Sequence, residues 1–218
     1  MDELIPSFKN TIFDQSLVDA GTDVLEIGID SIIDDPFFNS FPITRFVIGV
    51  GKTALNISER HFLKNTYRFL VAFNTGSVDE KMYSEYKQKI ESDPKKAEEE
   101  LGRVMIILNR SIESKKAEIL GKFFQAYVNQ SVSWEEFSDF SDALDRIFIS
   151  DLSLLYRASL EDVIKPDDRD MYKGERLNAI GLVNTKTDYT ETTVGIIKIE
   201  WVIQITDFGK RFIQYGLT

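Results

Sequence analysis

Residues 49–53 read Gly-Val-Gly-Lys-Thr, the residue types with which a phosphate loop wraps a nucleotide. Such a loop needs G-x-x-x-x-G-K-[ST] between a buried strand and a helix, so that successive backbone N–H groups surround the phosphates. Gly51, Lys52 and Thr53 supply its end, but Phe46 stands where the first glycine is required. The preceding Phe-Pro-Ile-Thr-Arg is not a β-branched strand, and no second acidic strand for magnesium follows. The segment therefore does not read as a nucleotide site. Gly49, Gly51 and Ala54 instead thin one face of an apolar helix so that a neighbour can approach. A second reading places the segment in a membrane interface, with Arg45 and Lys52 near the headgroups.

The remaining reactive side chains are few. The chain has no Cys and one His, His61. Disulfides, thiolate metal sites, cysteine nucleophiles and paired-histidine metal sites are thereby excluded. A lone imidazole needs an orienting partner and a nucleophile before it can act as a general base, and the sequence assigns neither. Glu135, Glu136, Asp139, Asp142 and Asp145 crowd one helical segment. They lack both the Glu-x-x-His pairs of a di-iron bundle and the ladder of a calcium loop. They read as a solvated face. The expectation is a chain without catalytic residues, cofactor, metal or small-molecule substrate.

Charge is distributed unevenly. The formal net charge is -10, which disfavours wholesale nucleic-acid binding. Residues 1–35 hold nine acids and one Lys, whereas residues 45–68 hold five bases and one acid. The bases Arg45, Lys52, Arg60, Lys64 and Arg68 form a basic stripe. Either it lies beside the acidic face of an earlier helix or it meets an anionic partner such as a lipid surface, an acidic protein or RNA.

The elements that carry these residues are mostly helical. With 43% hydrophobic and 12% aromatic residues in 218, the chain can build a substantial core. Apolar spacing predicts a helix over 15–34, with Asp19, Asp23, Glu26, Asp30 and Asp34 on one stripe. Asp35-Pro36 ends it. Residues 36–43, Pro-Phe-Phe-Asn-Ser-Phe-Pro-Ile, read as an aromatic connector, with Phe37, Phe38 and Phe41 as a protein-contact surface. Further helices are expected near 44–54, 58–73, 78–91, 94–112, 114–128 and 134–148. Ser77 with Glu80, Asp93 with Pro94, and Ser133 with Glu136 mark three of their starts. Residues 150–164 read helical, 165–174 as a polar linker, and 175–183 as a helix entering a strand. Residues 184–193 read as a polar hairpin tip. Ile197, Ile199, Trp201, Ile203 and Ile205 then alternate with more polar residues, giving a strand with one buried face. Trp201 is a further contact candidate. A short helix closes the segment.

The composition shift near residue 150 suggests a helical domain over 1–150 and a second domain over 151–218. In the latter, Leu177, Gly181, Leu182, Ile205, Thr206, Gly209 and Lys210 fill a helix–strand junction, a hairpin and an Ile-Thr-x-x-Gly-Lys turn. This resembles the tail of bacterial winged-helix regulators. The fold class is accordingly mainly α, a helical bundle, with a small C-terminal winged-helix-like α+β element containing a β-hairpin. A DNA-reading winged helix presents a basic helix to the major groove. Residues 157–176 carry five bases and six acids, so the module reads as a protein-contact element.

The order of the acidic helix, PITRFVIGVGKTALNISERHFLKN, KKAEILGKFFQAYVNQSVSWEEFSDFSDALDRIFISDL and the winged end resembles bacterial proteins of phage-defence and mobile-element settings, similar to the abortive-infection alpha group. The resemblance implies an intracellular bacterial protein with a role in defence against phage, and it carries over no active-site residues. The opening MDELIPSFKN lacks the basic-then-apolar order of a secretory signal. No stretch has the ~20 uncharged apolar residues of a spanning helix. A cytoplasmic protein is expected, with peripheral contact at the inner face of the membrane as the alternative location. The functional expectation is a non-enzymatic helical interaction or scaffold protein with a protein partner or self-association. Its alternatives are a membrane-directed effector acting through 41–70 and a winged-helix transcriptional regulator.

Overall fold

A computed structural model describes residues 3–14, 16, 35–49, 55–75, 78–161, 163–191 and 197–218. The acidic helix expected over 15–34, Gly51, Lys52, Thr53 and Ser77 lie outside the described residues. The protein is mainly helical, with a two-stranded antiparallel hairpin near the C-terminus. It divides into two compact units, Met1–Ser141 and Asp142–Thr218. No described helix is long and apolar enough to cross a membrane.

The first unit begins with α1 (Leu4–Ile12) and two short helices, α2 (Pro36–Ser40) and α3 (Pro42–Ile48). The connector is thus helical, against the sequence expectation. Each short helix opens on a proline, whose fixed φ suits the first helical turn and whose missing N–H is not needed there. The Asp35 carboxylate accepts from Phe37 N at 2.8 Å and caps α2. In α3 a distant residue does this work: Thr11 of α1 accepts from Ile43 N at 3.1 Å and donates to Ser7 O at 2.8 Å. Gly49, at φ 65°, ends α3 in a conformation that favours glycine.

Then follow α4 (Ile57–Thr75), α5 (Glu80–Ser92), α6 (Pro94–Arg110), α7 (Ser114–Val128) and α8 (Trp134–Arg146). Helix α6 runs unbroken through Gly102 and takes Asp93 as its cap, with bonds of 3.1 Å from Lys95 N and Lys96 N. Ser133 caps α8, accepting from Glu136 N at 3.1 Å. The start of α5 departs from expectation: Asp79 is the cap, accepting from both Lys81 N and Met82 N at 3.0 Å. One carboxylate satisfies two of the helix's orphan donors.

Helices α4 and α7 form the centre of this unit. Phe62, Tyr67, Phe69, Leu70 and Phe73 of α4 are buried, as are Ala117, Leu120, Phe123 and Phe124 of α7. The Phe124 ring lies 5.6 Å from both Phe69 and Phe73. Burial of each such side chain stabilises by about 1.5–3 kcal/mol. Gly121 permits the approach, because a Cβ there would sit 2.5 Å from Phe69 O. Phe137 and Phe140 of α8 complete the core.

In the second unit a 3₁₀ turn over Ile149–Asp151 leads into α9 (Leu152–Leu160) and α10 (Asp168–Ala179). Most of the stretch expected as linker is the first half of α10, because Asp167 accepts from Arg169 N at 2.9 Å and Asp170 N at 2.8 Å and nucleates the helix early. Those backbone N–H groups hold the Asp167 carboxyl below the usual range. Next come β1 (Val183–Glu191), β2 (Ile197–Ile205) and α11 (Asp207–Gly216). The residues expected as a hairpin tip are largely β1, paired with β2 from Val183↔Ile205 to Glu191↔Ile197. Ile203 and Ile205 are buried as the alternation predicts. Val202 is buried as well and Trp201 is 46% exposed, so the one-sided pattern fails where α9 also packs on the hairpin. Leu144 and Ile147 are buried but Phe148, expected in the core, is 53% exposed.

Candidate functional site

The residues singled out from sequence do not converge. The chain preceding Gly49 is helix α3, where a phosphate loop needs a strand. Arg45 is exposed and donates from Nε to Asn39 O at 3.2 Å. Arg60 is half-buried and donates to Leu55 O at 3.2 Å. Lys64 and Arg68 are half-buried on α4, and Lys52 lies outside the described residues. Of the aromatic contact surface, Phe38 and Phe41 are 2% and 1% exposed and belong to the core. Their rings meet Tyr67 at 4.8 and 6.1 Å, and only the half-exposed Phe37 keeps access to solvent. The sequence gives Phe-Phe-x-x-Phe no visible burial partner, and Tyr67 supplies one from α4. Of the apolar side chains of 41–70, Phe41, Ile43, Leu63 and Phe69 are likewise interior, whereas Phe46 and Ile57 are 39% and 86% exposed.

His61 is a structural group. It donates from Nε2 to Ser111 O at 2.7 Å, and Asn65 Nδ2 donates to Leu108 O and Ser111 O at 2.9 and 2.8 Å. Together they satisfy carbonyls at the end of α6, the orphan acceptors of a helix C-terminus. The acids of α8 form no metal cluster among the described residues.

The most concentrated chemistry in the first unit surrounds Glu100, whose side chain is fully buried in α6. Its carboxylate accepts from Tyr86 Oη at 2.9 Å, Tyr127 Oη at 2.8 Å and Lys89 Nζ at 2.8 Å. The Lys89 ammonium also donates to Tyr127 Oη at 2.8 Å and lies 5.5 and 5.3 Å from the Tyr86 and Tyr127 ring centroids. Lys96 stands 3.6 Å from the same carboxylate. Trp134 covers Tyr127 at 5.3 Å. Burial, followed by the Glu100 charge and hydrogen bond, pushes the Tyr86 phenol up. Burial and then the bond to Glu100 do the same to Tyr127. Both phenols stay protonated donors at neutral pH, so the arrangement clamps α5, α6 and α7 together. Sequence reasoning passed over Glu100 because it sits in a run of three glutamates. The available signal was its position on the apolar stripe of Ala97, Leu101, Val104 and Leu108.

The second unit has its own buried carboxylate. Asp151 is 1% exposed and accepts from Arg176 Nε at 2.9 Å and from its Nη2 in a fork. The bond to Asp151 pushes the Arg176 guanidinium up. The guanidinium lies 4.4 Å from the Phe148 ring centroid and 4.8 Å from that of Tyr172. Arg157 and Lys173 pair with Asp170 at 2.6 and 3.7 Å. Lys173 and Arg176 of α10 and Arg157 of α9 therefore engage neighbouring acids.

Gly181, Leu182, Thr206 and Gly209 form a joint. Gly181, at φ 78°, stops α10: Leu182 N donates to Leu177 O and Gly181 N to Asn178 O, each at 3.0 Å, a Schellman turn. Thr206 starts α11 by accepting from Gly209 N at 2.9 Å while its hydroxyl bonds Gly181 O at 2.7 Å. A Cβ on Gly209 would lie 2.1 Å from Leu182 O, so glycine is required there. Lys210 pairs only at the surface, 3.7 Å from Asp207. Between the isolated bridge at Ile164 and β1 there is one helix, α10.

Comparison of the chain with protein-family models, with curated proteins and with solved structures gives no match.

Proposed function

We propose that this chain is a non-enzymatic helical interaction protein of bacterial phage defence, its second unit a winged-type module turned to protein contact. The observation that carries the reading is the surface of α9. Tyr156 and Leu160 lie four residues apart and are 50% and 70% exposed, and Val163 just beyond is 47% exposed. Single exposed apolar residues are ordinary, whereas a stripe at helical spacing is the chemistry of a contact surface. Arg157, on the same helix, pairs with Asp170. The defence setting comes from the resemblance in residue order described above. The even balance of three acids and three bases in α10 supports a protein partner over DNA.

The test is phage challenge of bacteria expressing the chain or its Tyr156→Ser/Leu160→Ser variant at equal level. Plating efficiency should fall with the wild type for at least one phage of a broad panel and recover with the variant. No protection against any phage would remove the defence role, and equal protection by the variant would remove the α9 surface. Flotation of the purified chain with anionic vesicles would favour the membrane-directed alternative.

A further inference from the structure

Among the described residues, one edge of the hairpin is open: β1 pairs with β2 alone. On the far side of β2, Ile203 donates to Ile164 O and accepts from Ile164 N, both at 2.9 Å. In antiparallel pairing a residue whose N–H and C=O point away from one neighbour leaves its cross-strand partner in the same state. Ile203 is opposite Thr185, so Thr185 directs its own N–H and C=O to the outer edge of β1. With a period of two, Thr187 and Tyr189 do likewise. Lys186, between them, is exposed.

This edge matches itself. A two-fold axis pairs a strand edge with its own copy in antiparallel sense. The outward residues are odd-numbered, so odd residues must face odd residues, and the axis passes a residue of β1 rather than a point between two. Centring it on Thr187 engages all nine residues of β1. Thr185 then meets the partner's Tyr189, and Lys186 occupies the register position opposite the partner's Asp188, twice by symmetry. Those are non-hydrogen-bonded positions, where opposing Cα atoms come within about 4.5 Å and opposite charges stabilise the pair. Centring on Thr185 sets Lys186 against Asn184, and centring on Tyr189 sets Asp188 against Thr190. A centre on Lys186 or Asp188 would set like charges face to face. The charge pattern thus selects one register, and Trp201, opposite Thr187 within each hairpin, flanks its centre.

We infer that β1 is a self-association edge: two copies of this chain join through their β1 strands, antiparallel about Thr187, into a four-stranded sheet ordered β2–β1–β1–β2. This rests on reading the chain as an interaction protein, which the phage challenge tests separately. An open strand edge is otherwise a feature that proteins block.

The test is sedimentation velocity of the full chain over a concentration series, for the wild type, Lys186→Asp and the swapped Lys186→Asp/Asp188→Lys. Unchanged far-UV circular dichroism establishes that each variant is folded. The wild type should pass from monomer to dimer with rising concentration. Lys186→Asp should weaken the dimer by about tenfold or more, since two attractive pairs become repulsive, and the swap should restore it. A wild type that stays monomeric overturns the edge pairing and leaves the interaction reading to the phage challenge. A dimer indifferent to Lys186→Asp overturns the edge while self-association stands. A swap that fails to restore overturns the register.

Discussion

Substituting Lys89 by Met removes the ammonium that faces Glu100 while keeping the length of the stem against Tyr86 and Tyr127. Breaking a buried ion pair by deleting one partner costs about 3–5 kcal/mol. Two features of the site reduce that figure. The Lys89 side chain is 41% exposed, so part of its interaction with Glu100 is screened, and Lys96 remains 3.6 Å from the carboxylate. The expected loss is about 2 kcal/mol. Adding Glu100→Gln should return about 1 kcal/mol of it, because the amide oxygen still accepts from a tyrosine and no charge is left buried without a counter-ion. The assay is urea unfolding followed by Trp134 fluorescence in a Trp201→Phe background. Trp134 lies against Tyr127, and the first unit is thereby followed by itself, without assuming that both units unfold together. A Lys89→Met variant within about 0.5 kcal/mol of the parent, or a double variant no more stable than the single, would refute the account of Glu100 as a charge held by its partners.

Thr11→Val should cost about 1–3 kcal/mol, because Ile43 N would be left buried without an acceptor; thermal unfolding checks this, and Thr11→Ser should restore most of it. Gly121→Ala should destabilise by about 1–3 kcal/mol despite alanine's helix propensity, since the new Cβ would press on Phe69 O at 2.5 Å; an equal or raised melting temperature would contradict the close α4–α7 packing. Burial, and then the Asp14 charge, push the Tyr83 phenol up to about 12. An unfolded tyrosine ionises near pH 10, so the stability from neutral Tyr83 is complete below that pH and is lost as pH rises through about 12. Absorbance at the tyrosinate band should show Tyr83→Phe removing a late-titrating phenol, not an early one.

Much local chemistry was readable where neighbouring residues act on one another, although the caps Asp79 and Asp167 were not. The helix over 114–128, the caps at Asp93 and Ser133, and the stripe of Phe62, Phe69, Leu70 and Phe73 follow from spacing and from hydrogen bonds within one turn. Local reasoning also stops at its own horizon. Phe38 and Phe41 looked like a surface because Tyr67, their partner, lies in another helix. Glu100 looked like one solvated acid of three because Tyr86, Lys89 and Tyr127 come from two other helices. Thr11 caps a helix that begins at Pro42, far along the chain, and the polar run from Asn184 became a strand because β2 offers it a ladder of backbone partners. A residue's type and spacing determine what it can bond to within a few positions along the chain. Whether a charge is buried or a ring covered depends on which distant elements pack against it, and that the tertiary fold decided.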